Sequence, residues 1–160
     1  MYPIHFTLLA HFVGIGFLFT ALLGGWTVSR QYRSATEWQT KALYLKTLRR
    51  IGLMSPIGIL IMAVSGIGNM TVGPHQYTVF SDGWLSAKLA LFAVAILIGI
   101  FSSILAVRRS RTVNRLAAGE TEKVDEHFLR GIETQLRITS ILQFLLILSI
   151  IMLSVARPLG

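Results

Sequence analysis

The chain contains no cysteine. That excludes a disulfide framework, a thiolate metal centre and haem attached through Cys-x-x-Cys-His. Charge is scarce as well. Only 14% of the 160 residues are Asp, Glu, Lys or Arg, while 53% are hydrophobic and the mean hydropathy is +0.64. Soluble domains carry roughly 25% charged residues, so this composition points to an integral membrane protein. Acids are the scarcest class. Of the seven Asp and Glu residues, Asp82 alone lies outside residues 29–50 and 108–137. A transporter driven by intramembrane carboxylates is therefore disfavoured. There is also no Walker loop and no Ser-His-Asp pattern.

What is present is four apolar runs, at residues 3–28, 51–72, 84–107 and 138–156. Each is near the ~20 residues that a helix needs to cross a bilayer core about 30 Å thick. The first is longer and is expected to tilt or project. It has no basic leader region and no small-residue cleavage site after it, so it reads as a retained helix rather than a signal peptide. The formal charge of +8 is concentrated between the runs: six of the 15 Lys and Arg fall in residues 29–50 and seven in residues 108–137. This is the positive-inside pattern rather than a nucleic-acid footprint. It predicts a multi-pass protein of the inner (plasma) membrane, with both termini and residues 73–83 on the outer, periplasmic side. Membrane lipid is the first expected partner, including attraction to anionic headgroups. No nucleic-acid partner is expected.

The fold predicted is all-α, a single transmembrane four-helix bundle over residues 1–160. The basic segments read as helical. Ser34 and Glu37 have capping-box spacing before Trp38, Ala42 and Leu45. Val124, Phe128, Ile132 and Leu136 repeat every four residues into the fourth run, so the second and fourth spans are expected to extend inward past the membrane. Gly119 and Glu120 predict a turn. Pro56 predicts a kink near the inner end of the second span. Gly14, Gly16, Gly24 and Gly25 in the first span and Gly52, Gly58, Gly66 and Gly68 in the second predict close helix packing. The same glycines would also make room for a flat cofactor.

Two ionisable residues lie inside the spans. Lys88 is the only full charge within an apolar run, about 6 Å past Trp84 at 1.5 Å per residue. Burying a cation in hydrocarbon costs at least about 2.5–3.5 kcal/mol unless the side chain snorkels. Lys88 therefore either reaches the interface on its four-carbon stem, pairs with an anionic ligand group such as a propionate, or transfers protons. His11 lies about 12 Å past Pro3. It suits haem iron, copper or a proton relay, and equally a simple hydrogen bond to a carbonyl or to a serine on a neighbouring helix. Asn69 and Met70 end the second span on the same outer side, followed by His75, Tyr77 and Asp82. His5 and His11 are six residues apart and do not share a helix face. His127 reads as a solvated residue. A copper site would draw on His5, His11, Met70 and His75, although Met62, Met70 and Met152 lack tight Met-x-x-Met spacing and read first as packing residues.

The chain resembles the four-helix membrane families of the haem-pathway type protoporphyrinogen IX oxidase and of the copper-resistance protein D group. The resemblance rests on His11 with Gly14, on Pro56 followed by Met62-Ala63-Val64, on Gly83-Trp84-Leu85 with Lys88-Leu89, and on Leu116-Ala117-Ala118-Gly119-Glu120. These follow the family order over most of the chain, and the Gly-Trp-Leu-x-x-Lys-Leu block is the most specific. The resemblance implies a b-type haem or porphyrin and oxidation of protoporphyrinogen coupled to a membrane electron acceptor. His11 and Lys88 would be the residues of activity and cofactor binding, with Trp84 and Asn69 beside them. The copper-resistance branch implies copper handling instead, with His11, His75 and Met70 as ligands. Ser102 and Ser103 stand where the oxidase family usually has a further histidine, and Leu18 stands where a Trp is expected. The remaining reading is a non-catalytic subunit of a larger membrane complex, or a homo-oligomer.

Overall fold

The structure is a computed structural model and describes residues 3–72, 83–120 and 126–155. Those residues form five helices: α1 (Pro3–Ser34), α2 (Trp38–Gly52), α3 (Met54–Val72), α4 (Gly83–Ala117) and α5 (Glu126–Val155). Four stretches are long and apolar enough to cross a membrane: Phe6–Ser34, Trp38–Met70, Gly83–Ala117 and His127–Ser154. The fold class is the expected one, all-α with four potential spans. The chain divides into two compact units, Met1–Tyr77 and Thr78–Gly160.

In the first unit α1 runs antiparallel to α2 and α3 in one continuous register. Thr7 meets Asn69, His11 meets Ser65, Gly14 meets Gly58 and Met62, and Gly24 meets Ile51. The residues that α1 turns inward recur by steps of three and four, namely Thr7, His11, Gly14, Leu18, Ala21, Gly24, Val28 and Tyr32, all buried or half-buried. That is the seam spacing of paired helices. Tyr32 is 1% exposed, and the Lys41 ammonium sits 4.5 Å from the Trp38 ring centre and 5.7 Å from that of Tyr32. These contacts fasten α2 to the last turns of α1 through cation–π attraction.

Glycine allows this closeness at two positions in particular. A Cβ on Gly58 would stand 2.9 Å from the Gly14 carbonyl oxygen, and one on Gly14 would stand 3.0 Å from the Gly58 carbonyl oxygen. The seam glycines serve backbone contact, as the packing reading expects. Leu18, in place of the Trp of the resembled families, is buried against Gly58.

At the basic end one expectation is corrected and two are refined. Ser34 and Glu37 do not form a capping box. Ser34 belongs to α1 and its hydroxyl donates to the Arg30 carbonyl, while Glu37 is the N-cap of α2 without a side-chain cap bond. The inward extension expected of the second and fourth spans is present, as α2 and the start of α5, and is not confined to them. It includes α1, which continues to Ser34, and α4, which continues to Ala117. The interruption in the second span falls at Leu53, before Pro56. Pro56 has no N–H to give the Gly52 carbonyl four residues earlier, so the helix ends at Gly52 and restarts at Met54. Pro56 itself lies in the first turn of α3, where a missing N–H costs nothing.

In the second unit α4 and α5 pair antiparallel, with Gly99 against the Gln143 amide, 3.1 Å from where a Cβ would lie. The α5 seam is Leu129, Ile132, Leu136, Thr139, Gln143, Leu146, Ile150 and Leu153. The four-residue repeat read from the sequence is therefore corrected. Phe128 is 50% exposed whereas Ile132 is 4% exposed, because a packed seam alternates three- and four-residue steps and passes through Leu129 instead. Val124 lies outside the described residues. The expected turn is present: Gly119 has φ +87° and closes α4, with the Glu120 N–H bonded to the Arg115 carbonyl. Only glycine adopts that backbone without strain. Gly119→Ala is expected to lower stability by about 1 kcal/mol. Thermal unfolding in detergent checks this, and because no atom lies within 4 Å of the added methyl, the loss is purely conformational.

Candidate functional site

The polar groups of the first unit's apolar part stack as rungs across the α1–α3 seam. Thr7 and His11 are four residues apart on α1, and Ser65 and Asn69 are four apart on α3, so each pair shares a helix face. Antiparallel packing sets them opposite one another. The Thr7 hydroxyl donates to Asn69 Oδ1 near the end remote from the basic residues. One turn deeper, His11 Nδ1 lies 3.0 Å from Ser65 Oγ, and Ser65 is buried. The ring lies across Gly66, with Cε1 4.0 Å from the position of a Cβ there.

The hydrogen-bond directions assign the tautomer. Ser65 Oγ is 2.6 Å from the Ile61 carbonyl oxygen and 3.3 Å from that of Met62. A carbonyl can only accept, so the serine proton is committed to it, and the serine oxygen receives a proton from His11 Nδ1. Nε2 is then the ring nitrogen turned away from Ser65. An imidazole whose Nδ1–H is held by an acceptor is the arrangement found in histidine ligands, where the outer bond fixes the ring and raises its basicity. The rungs stop at the next turn, where Gly14, Gly58 and Met62 close the seam with apolar contacts. Met62 is therefore a packing residue here.

The other candidates divide between the units. Asn69 joins the first rung, and Met70 is half-buried at the end of the described part of the seam. His5 lies in the first turns of α1. His75, Tyr77 and Asp82 lie outside the described residues. Trp84 and Lys88 belong to the second unit, in the first turns of α4. Lys88 is half-buried, about 8 Å along the helix from Gly83, on the line that continues through buried Leu85. His127 is exposed, as expected of a solvated residue. Ser102 turns a buried hydroxyl into the α4 seam without a hydrogen-bond partner among the described residues, and Ser103 caps back onto the Gly99 carbonyl. Among the described residues no group of three or more His, Cys, Asp or Glu gathers at metal-binding distance.

Residues 6–158 match the family described as "Predicted integral membrane protein (DUF2269)". The chain belongs to that family. It is a multi-pass integral membrane protein, with four stretches long and apolar enough to span the membrane. No curated protein and no solved structure matches it.

Ser65 and Thr7 are the site residues that sequence reasoning passed over as individuals. Their signal was present: a polar residue four positions from each named candidate, on the same helix face in an otherwise apolar run. The pairing of α1 with α3 turns that spacing into a site.

Proposed function

We propose that this DUF2269 chain is a haem- or porphyrin-binding membrane redox protein, with His11 as its protein ligand. The reading rests on one observation above all, half-buried His11 bonded to buried Ser65, which commits Nδ1 to a hydrogen bond and makes Nε2 the electron-pair donor. The donor set fits the group: imidazole is the commonest axial ligand of b-type haem. The seam glycines are filled by backbone and by Met62, so a macrocycle held by His11 lies outside the α1–α3 contact rather than within it. Trp84 anchors the first turn of α4 at the membrane interface. Asn69 and Thr7 keep the mouth of the seam polar.

The haem iron, when bound, supplies one-electron transfer to a membrane electron acceptor. His11 would hold the group and Ser65 would orient the imidazole. With a protoporphyrinogen-type substrate in place of haem, His11 Nε2 would take up a proton instead of ligating iron. The orientation proposed puts both termini and the His11 end on the outer side of the plasma membrane, with the basic ends inside.

The test is the absorption spectrum and metal content of the full chain purified in mild detergent, before and after haem is added. A Soret band without stoichiometric copper is expected. No Soret band even after haem addition overturns the reading, and copper bound at one equivalent and lost in His11→Ala replaces it with copper handling.

A further inference from the structure

The two rungs of the α1–α3 seam spend their hydrogen-bond donors unequally. The Ser65 proton goes to the Ile61 carbonyl, the His11 Nδ1–H to Ser65 Oγ, and the Thr7 proton to Asn69 Oδ1. Asn69 Nδ2 carries the donor protons that remain, and it has no partner among the described residues. Thr7 is pressed against α3 at Gly68, where a Cβ would stand 2.8 Å from Thr7 Cγ2. That contact keeps its hydroxyl, and with it Asn69 Oδ1, at the seam. Nδ2 is then turned away from Thr7. An amide N–H without an acceptor is costly in a bilayer, where no water replaces the missing bond.

The same amide stands over the His11 ring. Viewed along α3, Ser65, Asn69 and Gly66 follow one another at about 0°, 40° and 100°. The ring spans the outer two of these, with Nδ1 on Ser65 Oγ and Cε1 across Gly66. Asn69 falls between them, about 6 Å beyond Ser65 toward the end of α3. Nε2 follows Cε1 around the ring, on the side away from Ser65. That flank has room: among the described residues, only His11 Cε1 comes within 4 Å of where a Gly66 Cβ would lie. The neighbourhood has no fixed charge of its own, since residues 1–29 and 51–72 contain no Asp, Glu, Lys or Arg. An acid group on a molecule bound to this seam therefore meets a neutral donor.

We propose that Asn69 Nδ2 donates a hydrogen bond to a carboxylate of the molecule held at His11, so that the site selects tetrapyrroles with free propionates. This rests on the reading of His11 as the protein ligand and deepens it from a macrocycle to its acid side chains. A carboxylate supplies the acceptor that the amide lacks, and a hydrogen bond to a charged group is worth more than one between neutral groups. Asn69 is thus a specificity-determining residue. His11 holds the ligand, and the amide one turn away distinguishes acid from ester.

The experiment titrates the full chain in mild detergent with haem and with haem dimethyl ester, whose propionates are esterified. The Soret band is followed at about pH 8, well above the carboxylate range. Asn69→Leu removes the donor at similar volume. It is expected to weaken haem binding about 10- to 100-fold and to change ester binding by less than about threefold. Asn69→Asp keeps an acceptor for the Thr7 hydroxyl, so the rung survives, but it sets a carboxylate against the propionate. It is expected to weaken haem binding at least as much as leucine does. Equal weakening of haem and ester by Asn69→Leu shows a structural role and overturns the inference, as does wild-type haem affinity in Asn69→Asp. His11→Ala is titrated alongside. A band that persists unchanged in His11→Ala, or no band with either compound in wild type, overturns the haem reading and this inference with it. A His11-dependent band indifferent to both Asn69 variants overturns this inference alone. Unchanged thermal unfolding of each variant excludes misfolding as the cause.

Discussion

Gly58→Val is expected to loosen the α1–α3 pair, with a loss of about 3 kcal/mol in unfolding free energy. The first branch of the new side chain would begin 2.9 Å from the Gly14 carbonyl oxygen and 3.1 Å from Phe17 Cβ and Leu18 Cγ. Two of these neighbours cannot yield cheaply. The carbonyl belongs to a helix backbone, and Phe17 Cβ moves only with its own helix. Lipid offers no hydrophobic drive to restore the pair once it is held apart, since association within a bilayer rests on packing and hydrogen bonds. Gly58→Ala is expected to follow with a smaller loss. Gly16→Ala, with no atom within 4 Å of the added methyl, is expected to be neutral or slightly stabilising, as alanine is the better helix former. Thermal unfolding of the three variants in one detergent checks the order. A Gly58→Val protein as stable as wild type would show that the seam does not depend on this contact.

Ser65→Ala is expected to weaken haem binding by about 10- to 100-fold while leaving the protein folded. The serine does not touch a ligand in this scheme. It is a positioning residue that accepts the His11 Nδ1–H and so selects the tautomer with Nε2 as donor. Without it the ring loses its orienting partner and part of its basicity. Ser65→Thr keeps the hydroxyl and is expected to restore most of the affinity. A haem titration followed through the Soret band, with the band position recorded as a readout of ligation, separates positioning from mere packing. If alanine and threonine behave alike, the hydroxyl is not what holds the ring.

The two predictions address different layers of one seam, and the sequence displayed those layers unequally. The spans were legible because hydrocarbon imposes one requirement on about 20 consecutive residues, and composition alone records it. Their ends were less so. The apolar run stops near Val28 but α1 continues to Ser34, because Tyr32 and the Lys41–Trp38 stack pack the basic segment after the lipid has ended. Pro56 signalled the interruption of the second span. The ring acts on the turn before it, which is why the break is at Leu53 and Pro56 sits inside α3. Phe128 misled because a four-residue repeat in one helix does not say which neighbouring line the partner will cover.

The site shows the same division. An intramembrane histidine stands out in any sequence of this composition, and so does a lysine. What His11 meets is a serine 54 positions away, chosen by the helix register and invisible to local patterning. The glycines state that backbones approach but not which ones. Only the structure assigns Gly14 to Gly58.

The most direct measurement is a haem titration of the full-length protein in mild detergent, run side by side for wild type and His11→Ala at matched concentration and confirmed folding. Wild type is expected to develop a saturable Soret band at one haem per chain, and His11→Ala to show no saturable band. Equal binding by the two proteins would contradict the assignment of His11 as the ligand.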